Sequence, residues 1–282
     1  RTGLVSGCAL LVDYVMTITI SVAAAGKAFF SLMPPEMAKY ALICEIAALA
    51  FLTFINMRGA KESILILLPI FAIFVVSHAI MIVTGIVRQV PHAPEVARQI
   101  AHGWSTGITE MGMLAIFGKL ASAYAMSGST YTGLEAVSNG LPLLREPRIK
   151  NGKRTMLYLA ISLSLAATGI ITCYLLWDIR PVEGKTMNAV LAEKVSYGLP
   201  GATIFVWTTM LSAGALLVAA AQAGFLSGPR VMSNLAVDGW LPRSFQTLSD
   251  RLVTGNAILF LGIAAGGALI YTGGDVSQLA VL

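Results

Sequence analysis

Ser127-Gly-Ser-Thr-Tyr-Thr-Gly-Leu-Glu-Ala-Val-Ser-Asn-Gly140 is the stretch whose reading decides the fold. It lies inside a run of roughly 30 mostly apolar residues between Met111 and Leu144, enough for one membrane crossing, which takes about 20. A crossing normally keeps its backbone helical throughout, because the bilayer core offers no water to satisfy freed N–H and C=O groups. Here Gly128 and Gly133, several hydroxyl side chains and an acid, Glu135, fall near the midpoint. Glycine and hydroxyl side chains weaken a helix, and a mid-membrane carboxylate costs about 2.5–3.5 kcal/mol on insertion scales. Irregular backbone is tolerated at that depth only where it lines a cavity or is buried in protein. The stretch therefore predicts a broken helix with an acid at the break.

Composition agrees with a membrane setting. The 282 residues are 56% hydrophobic and 12% charged, with mean hydropathy +0.78, against about 25% charged in soluble domains. An all-α integral membrane protein is expected. Arg1 is no initiator, and Leu279–Leu282 lies inside an apolar run, so the sequence reads as a piece of a longer chain. The net charge of +5 suits basic loops between apolar runs rather than nucleic-acid binding. Cys8, Cys44 and Cys173 show no metal or disulfide spacing and read as small packing residues.

Seven spans are predicted, at about 4–26, 40–57, 64–87, 111–141, 156–177, 201–227 and 256–272. Basic residues concentrate on one set of loops, 57–62, 140–155 and 228–255, which is assigned to the cytoplasm. Arg145, Arg148, Lys150, Lys153 and Arg154 make the strongest cluster.

The first span contains Leu11-Val-Asp-Tyr-Val-Met-Thr-Ile-Thr-Ile-Ser21. Asp13, Thr17 and Ser21 recur every four residues and share one helix face, with Tyr14 beside them. So deep a polar stripe should face protein or water, not lipid. Glu45, six residues beyond Lys39, is expected near the outer interface or in a local pair more readily than in a transport role. His78, beside Ser77 in the third span, reads as a neutral packed histidine more readily than as a proton relay. His92 and His102 fall in a following loop with Pro91, Pro94 and Trp104 and are too isolated for metal ligands. Residues 178–200 read as a mixed-charge outer loop. Ser227 to Pro242 is too polar to span and reads as an interfacial helix. Walker, G-x-S-x-G and H-E-x-x-H patterns are missing from the sequence, so no enzymatic activity and no cofactor are expected.

The first-span segment, Asn56-Met-Arg-Gly-Ala-Lys-Glu-Ser63, Tyr131-Thr-Gly-Leu-Glu-Ala-Val-Ser-Asn-Gly140 and Pro229-Arg-Val-Met-Ser-Asn-Leu-Ala-Val-Asp-Gly-Trp-Leu-Pro242 together resemble the amino acid–polyamine–cation (APC) superfamily. Within it they look most like the KimA/KUP-type potassium/proton symporter branch. The resemblance covers nearly the whole chain. It implies the LeuT/APC-type inverted-repeat transporter fold, in which the first helix of each repeat is broken at the midplane. Residues 1–282 would then be a single transmembrane domain holding family helices 3 to 9, with the first, second and tenth missing. The fourth span would be the broken sixth helix.

The family's cation-site positions fall on Asp13, Tyr14, Thr17, Ser21, Thr132 and Glu135. The resemblance implies potassium ligands at Tyr14, Ser21 and Thr132, and proton coupling by Glu135 with Asp13 as partner. Gly128 and Gly133 would make the break. The implied function is proton-coupled potassium uptake across the inner or plasma membrane, with a proton-coupled amino-acid permease as the alternative. The partners would be potassium or an amino acid, protons and the lipid bilayer, and no nucleic acid. Many proton-coupled amino-acid permeases carry a lysine in the middle of the helix matching Ile64–Val87, where this chain has none. Thr208, Thr209 and Ser212 match a region where sodium-coupled relatives place hydroxyl ligands, and they suit helix packing equally. A seven-helix receptor fits the span count but does not call for a glycine-interrupted fourth span.

Overall fold

The computed structural model describes residues 2–59, 64–126, 144–249 and 254–279. Long helices dominate because apolar runs satisfy their backbone internally, and no strand occurs among the described residues. They are α1 (Thr2–Phe30), α2 (Ala41–Met57), α3 (Ile64–Gln89), α4 (Ala93–Met111), α5 (Met113–Met126), α6 (Arg148–Leu176), α7 (Met187–Ser196), α8 (Ala202–Val237) and α9 (Gly255–Tyr271). Five stretches are long and apolar enough to cross a membrane: Gly3–Phe30, Pro35–Met57, Leu67–Met111, Arg148–Leu176 and Ala202–Val237. Met113–Ala125 and Gly255–Tyr271, in the regions of the predicted fourth and seventh spans, are shorter apolar helices. The chain is thus a multi-pass, all-helical membrane protein across its described residues.

Three stretches depart from the sequence reading. The predicted loop after the third span is the helix α4, entered through Pro94 in its first turn, where proline's missing N–H costs nothing. The predicted interfacial helix after Ser227 is not separate: α8 runs on through Pro229 to Val237. The outer loop 178–200 contains α7, whose N-cap Thr186 accepts a hydrogen bond from the Ala189 amide.

The chain forms two compact units. One comprises residues 1–73 and 210–282. Its core joins Ile18, Val22 and Ala23 of α1, Leu49 and Leu52 of α2, Ala221, Phe225 and Met232 of α8, and Leu261, Ala265 and Leu269 of α9. Small residues let these helices approach closely, as membrane packing favours. A Cβ on Gly262 would lie 2.5 Å from Thr53 Oγ1.

Residues 74–209 form the other unit. There α3, α6 and α7 pack around Gly85, whose Cβ would meet Cys173 Sγ at 2.9 Å and Val195 Cγ2 at 3.3 Å. Trp177 Nε1 donates to Gly85 O at 3.0 Å, and Arg88 donates to Val195 O at 2.6 Å. Cys173 is packed as expected, whereas Cys8 and Cys44 lie on the exposed surface. Gly112, at φ 79°, separates α4 from α5.

Candidate functional site

Asp13, Tyr14, Thr17 and Ser21 all lie on α1, which is helical without interruption from Thr2 to Phe30. Tyr14, Thr17 and Ser21 are buried, with 3, 8 and 7% of their surface exposed, and Asp13 is half-buried. Val5 and Val12, one heptad apart, are 70% and 60% exposed. The helix thus turns apolar residues outward and the hydroxyl-bearing residues inward, the arrangement a bilayer imposes on a polar stripe.

At Tyr14 and Ile18 the helix is met by α8. A Cβ on Gly228 would stand 3.5 Å from Tyr14 Cβ, and one on Gly224 would stand 2.7 Å from Ile18 Cγ1 and 3.4 Å from Tyr14 O. Gly7 meets Leu235 and Gly214 meets Ala25 at the two ends of the same seam. Numbers rise along α1 as they fall along α8, so the helices are antiparallel. Close backbone approach is possible because α8 presents glycine where α1 presents Tyr14 and Ile18. Thr19, fully buried, turns its hydroxyl back to Val15 O at 2.7 Å and lies 3.4 Å from Ala265 O of α9.

Thr132 and Glu135, and the glycines Gly128 and Gly133 expected at the break, lie outside the described residues. The structure therefore brings together the four α1 residues and leaves the second half of the expected site unaddressed.

Two polar features of the first unit escaped the sequence reading. Asn56 of α2 and Gln222 of α8 form a buried, reciprocally hydrogen-bonded amide pair. In the sequence each is one polar residue near the end of an apolar run. Glu45 is 3% exposed, and its Oε2 has no hydrogen-bond partner among the described residues. Nearby, Lys27 and Asp275 form an ion pair at 3.3 Å. The Asp275 carboxyl is held below the usual carboxylate range, chiefly by the Ser277 backbone amide and further by Lys27.

In the second unit His78 is buried, with Nδ1 2.9 Å from Phe74 O and its ring 4.0 Å from that of Phe74. It caps its own helix turn. Thr209 likewise donates to Phe205 O at 2.8 Å. Among the described residues no group of three or more His, Cys, Asp or Glu is placed to hold a metal ion. A groove of about 550 Å³ between α4 and α5, lined by Trp104, Met113, Leu114, Ile116, Phe117 and Leu120, is almost wholly apolar and does not suit a hydrated cation.

A family model described as amino acid permease matches residues 1–281, essentially the whole chain. The chain belongs to that family. The chain is also 30% identical, over 279 residues, to a protein of Bacillus subtilis (strain 168) named potassium transporter KimA. The match takes in 99% of this chain but 44% of that relative, so the chain spans less than half of the relative's length.

Proposed function

We propose that the chain is the central part of a secondary active transporter that takes up potassium together with protons. The observation that carries this reading is the α1 stripe, on which Tyr14, Thr17 and Ser21 are buried on a helix whose other face is apolar. Potassium is a hard cation that needs several oxygens in place of its hydration shell. Tyr14 and Ser21 offer two, and Thr132 and freed carbonyls at the Gly128–Gly133 break would add more. Glu135 would exchange the coupling proton, with Asp13 as its partner, since burial and an arriving cation pull a carboxyl's proton affinity in opposite directions. Likeness to a protein named as a potassium transporter favours this substrate.

In this reading the fold is the inverted-repeat arrangement, with α1 as the third family helix and the Met111–Leu144 run as the broken sixth. Basic loops 57–62, 140–155 and 228–255 face the cytoplasm of a cell whose inner or plasma membrane holds the protein. Proton-coupled amino-acid uptake is the second reading, and the family's description favours it. One experiment separates the two: complementation of a potassium-uptake-deficient bacterium by the full-length protein, with Asp13→Asn as control. Growth in low potassium that Asp13→Asn abolishes supports the first reading. No rescue, together with amino-acid uptake in proteoliposomes, overturns it.

A further inference from the structure

Glu45 sits one turn into α2, and two glycines make the space for it. A Cβ on Gly26 of α1 would overlap Oε1, and a Cβ on Gly274 would overlap Oε2. Gly274 follows α9, where Gly273 and Gly274 take φ 60° and 75° and their amides return to Ile270 O and Leu269 O. Only glycine adopts that backbone at little cost, and it carries the Gly274 Cα onto the carboxyl. The acid is closed in by two backbones, 3% exposed, and one of its oxygens has no hydrogen-bond partner among the described residues.

The charged groups around it are few. From α1 comes Lys27, beside Gly26, and from the segment after α9 comes Asp275, beside Gly274. Those two pair with each other, with 42% of each side chain exposed. On the turn Pro35–Tyr40 before α2, Glu36 and Lys39 are exposed, and Lys39 lies over the Tyr40 ring. Lys27 follows Gly26, which touches the carboxyl, and its ammonium is engaged by Asp275. One ammonium between two acids balances a single negative charge. A buried ionised carboxylate with an unpartnered oxygen is strongly disfavoured, whereas the neutral acid is not.

We propose that Glu45 is a proton-binding site, a neutral acid while α1, α2 and the end of α9 are packed together. The O–H bond breaks, and the proton passes to water on the Lys27–Asp275 side, only when Gly26 or Gly274 draws away and lets water reach the carboxyl. The site is distinct from Asp13 and the α1 stripe, and it does not depend on which solute the protein carries.

The test is infrared spectroscopy of the full-length protein in lipid nanodiscs at neutral pH. Wild type should show a carboxylic-acid carbonyl band that shifts in heavy water, and part of it should vanish in Glu45→Gln. Gly26→Ala, which pushes the carboxyl out of its pocket, should lose the same part while keeping the glutamate. Identical bands in wild type and Glu45→Gln overturn the proposal. Wild type grown with glutamate carrying 13C at its side-chain carboxyl supplies a readout that needs no variant: the band should shift, and no shift means that no glutamate is protonated, which also overturns it. Solute uptake is not read in this experiment, so failure of the potassium reading leaves the result standing.

Discussion

Asn56 and Gln222 exchange their side-chain amides in both directions. Asn56 Nδ2 donates to Gln222 Oε1 at 2.7 Å, and Gln222 Nε2 donates back to Asn56 Oδ1 at 2.9 Å. Asn56 Nδ2 also donates to Leu52 O at 2.8 Å. The two residues are 4% and 9% exposed, on α2 and α8. In a setting without water each amide is the other's substitute for solvent, so the pair sets the height at which the two helices meet.

Truncating either partner should therefore cost more than truncating both would suggest. Asn56→Ala or Gln222→Ala strands a buried amide, a loss of about 1–3 kcal/mol. Unfolding of the single and double variants in detergent should give a double-variant loss smaller than the sum. Strict additivity would show that the two side chains are not coupled.

The α1–α8 seam should reject bulk on its glycine side. Gly224→Leu drives a side chain into Ile18, whose Cγ1 already stands 2.7 Å from the position of a Cβ. Overpacking of this kind costs about 1–3 kcal/mol. Trimming the opposing residue with Ile18→Ala should restore part of it. Thermal melts of the purified protein decide the matter, and a melting temperature unchanged by Gly224→Leu would mean the seam is loose.

For uptake, Asp13→Asn tests the acid of the α1 stripe. Under the potassium reading Asp13→Asn removes a half-buried carboxyl and should lower potassium flux by at least about tenfold, equivalent to about 1.4 kcal/mol. Its melting temperature should barely move. Flux measured in proteoliposomes of the full-length protein checks this, and wild-type flux from Asp13→Asn would remove Asp13 from the site.

Acid should weaken the first unit partly through Asp275. Its carboxyl is held low mainly by the Ser277 amide, 2.9 Å from Oδ1, with Lys27 adding at 3.3 Å. A lowered carboxyl contributes stability that is present above the ordinary aspartate range, about 3.9, and is lost as pH falls through the lowered value. Because the side chain is 42% exposed, the effect should stay under about 1 kcal/mol. Melting temperature followed from neutral pH into acid should fall less steeply in Asp275→Asn than in wild type. Parallel curves would show that the contact contributes nothing.

Apolar runs made most of the helices legible, because a stretch of Ile, Leu, Val and Ala long enough to cross has few other options in lipid. The inward face of α1 was legible for the same reason: Asp13, Thr17 and Ser21 share a register that leaves Val5 and Val12 outside. Two stretches fold otherwise than their composition reads. Pro94 opens α4 rather than marking a loop. Pro229 does not stop α8, since Met232, Leu235 and Ala236 beyond it are buried and their packing outweighs one lost hydrogen bond. Glu45 could not have been read correctly from its neighbours, because the backbone that encloses it belongs to Gly26 and to Gly274. The spacing rules that reveal a helix face carry no information about a contact across so much chain.

Pro229 carries one more consequence for α8. Proline has no N–H to give the carbonyl one turn earlier, that of Phe225, so the ladder of this long helix lacks a rung just where it passes Tyr14. Bending α8 at that level forfeits one backbone bond fewer than bending it where the ladder is complete, a saving of about 0.5–1.5 kcal/mol. A helix that is continuous in outline is therefore jointed in mechanics, and its last two turns can tilt as a lever about the seam.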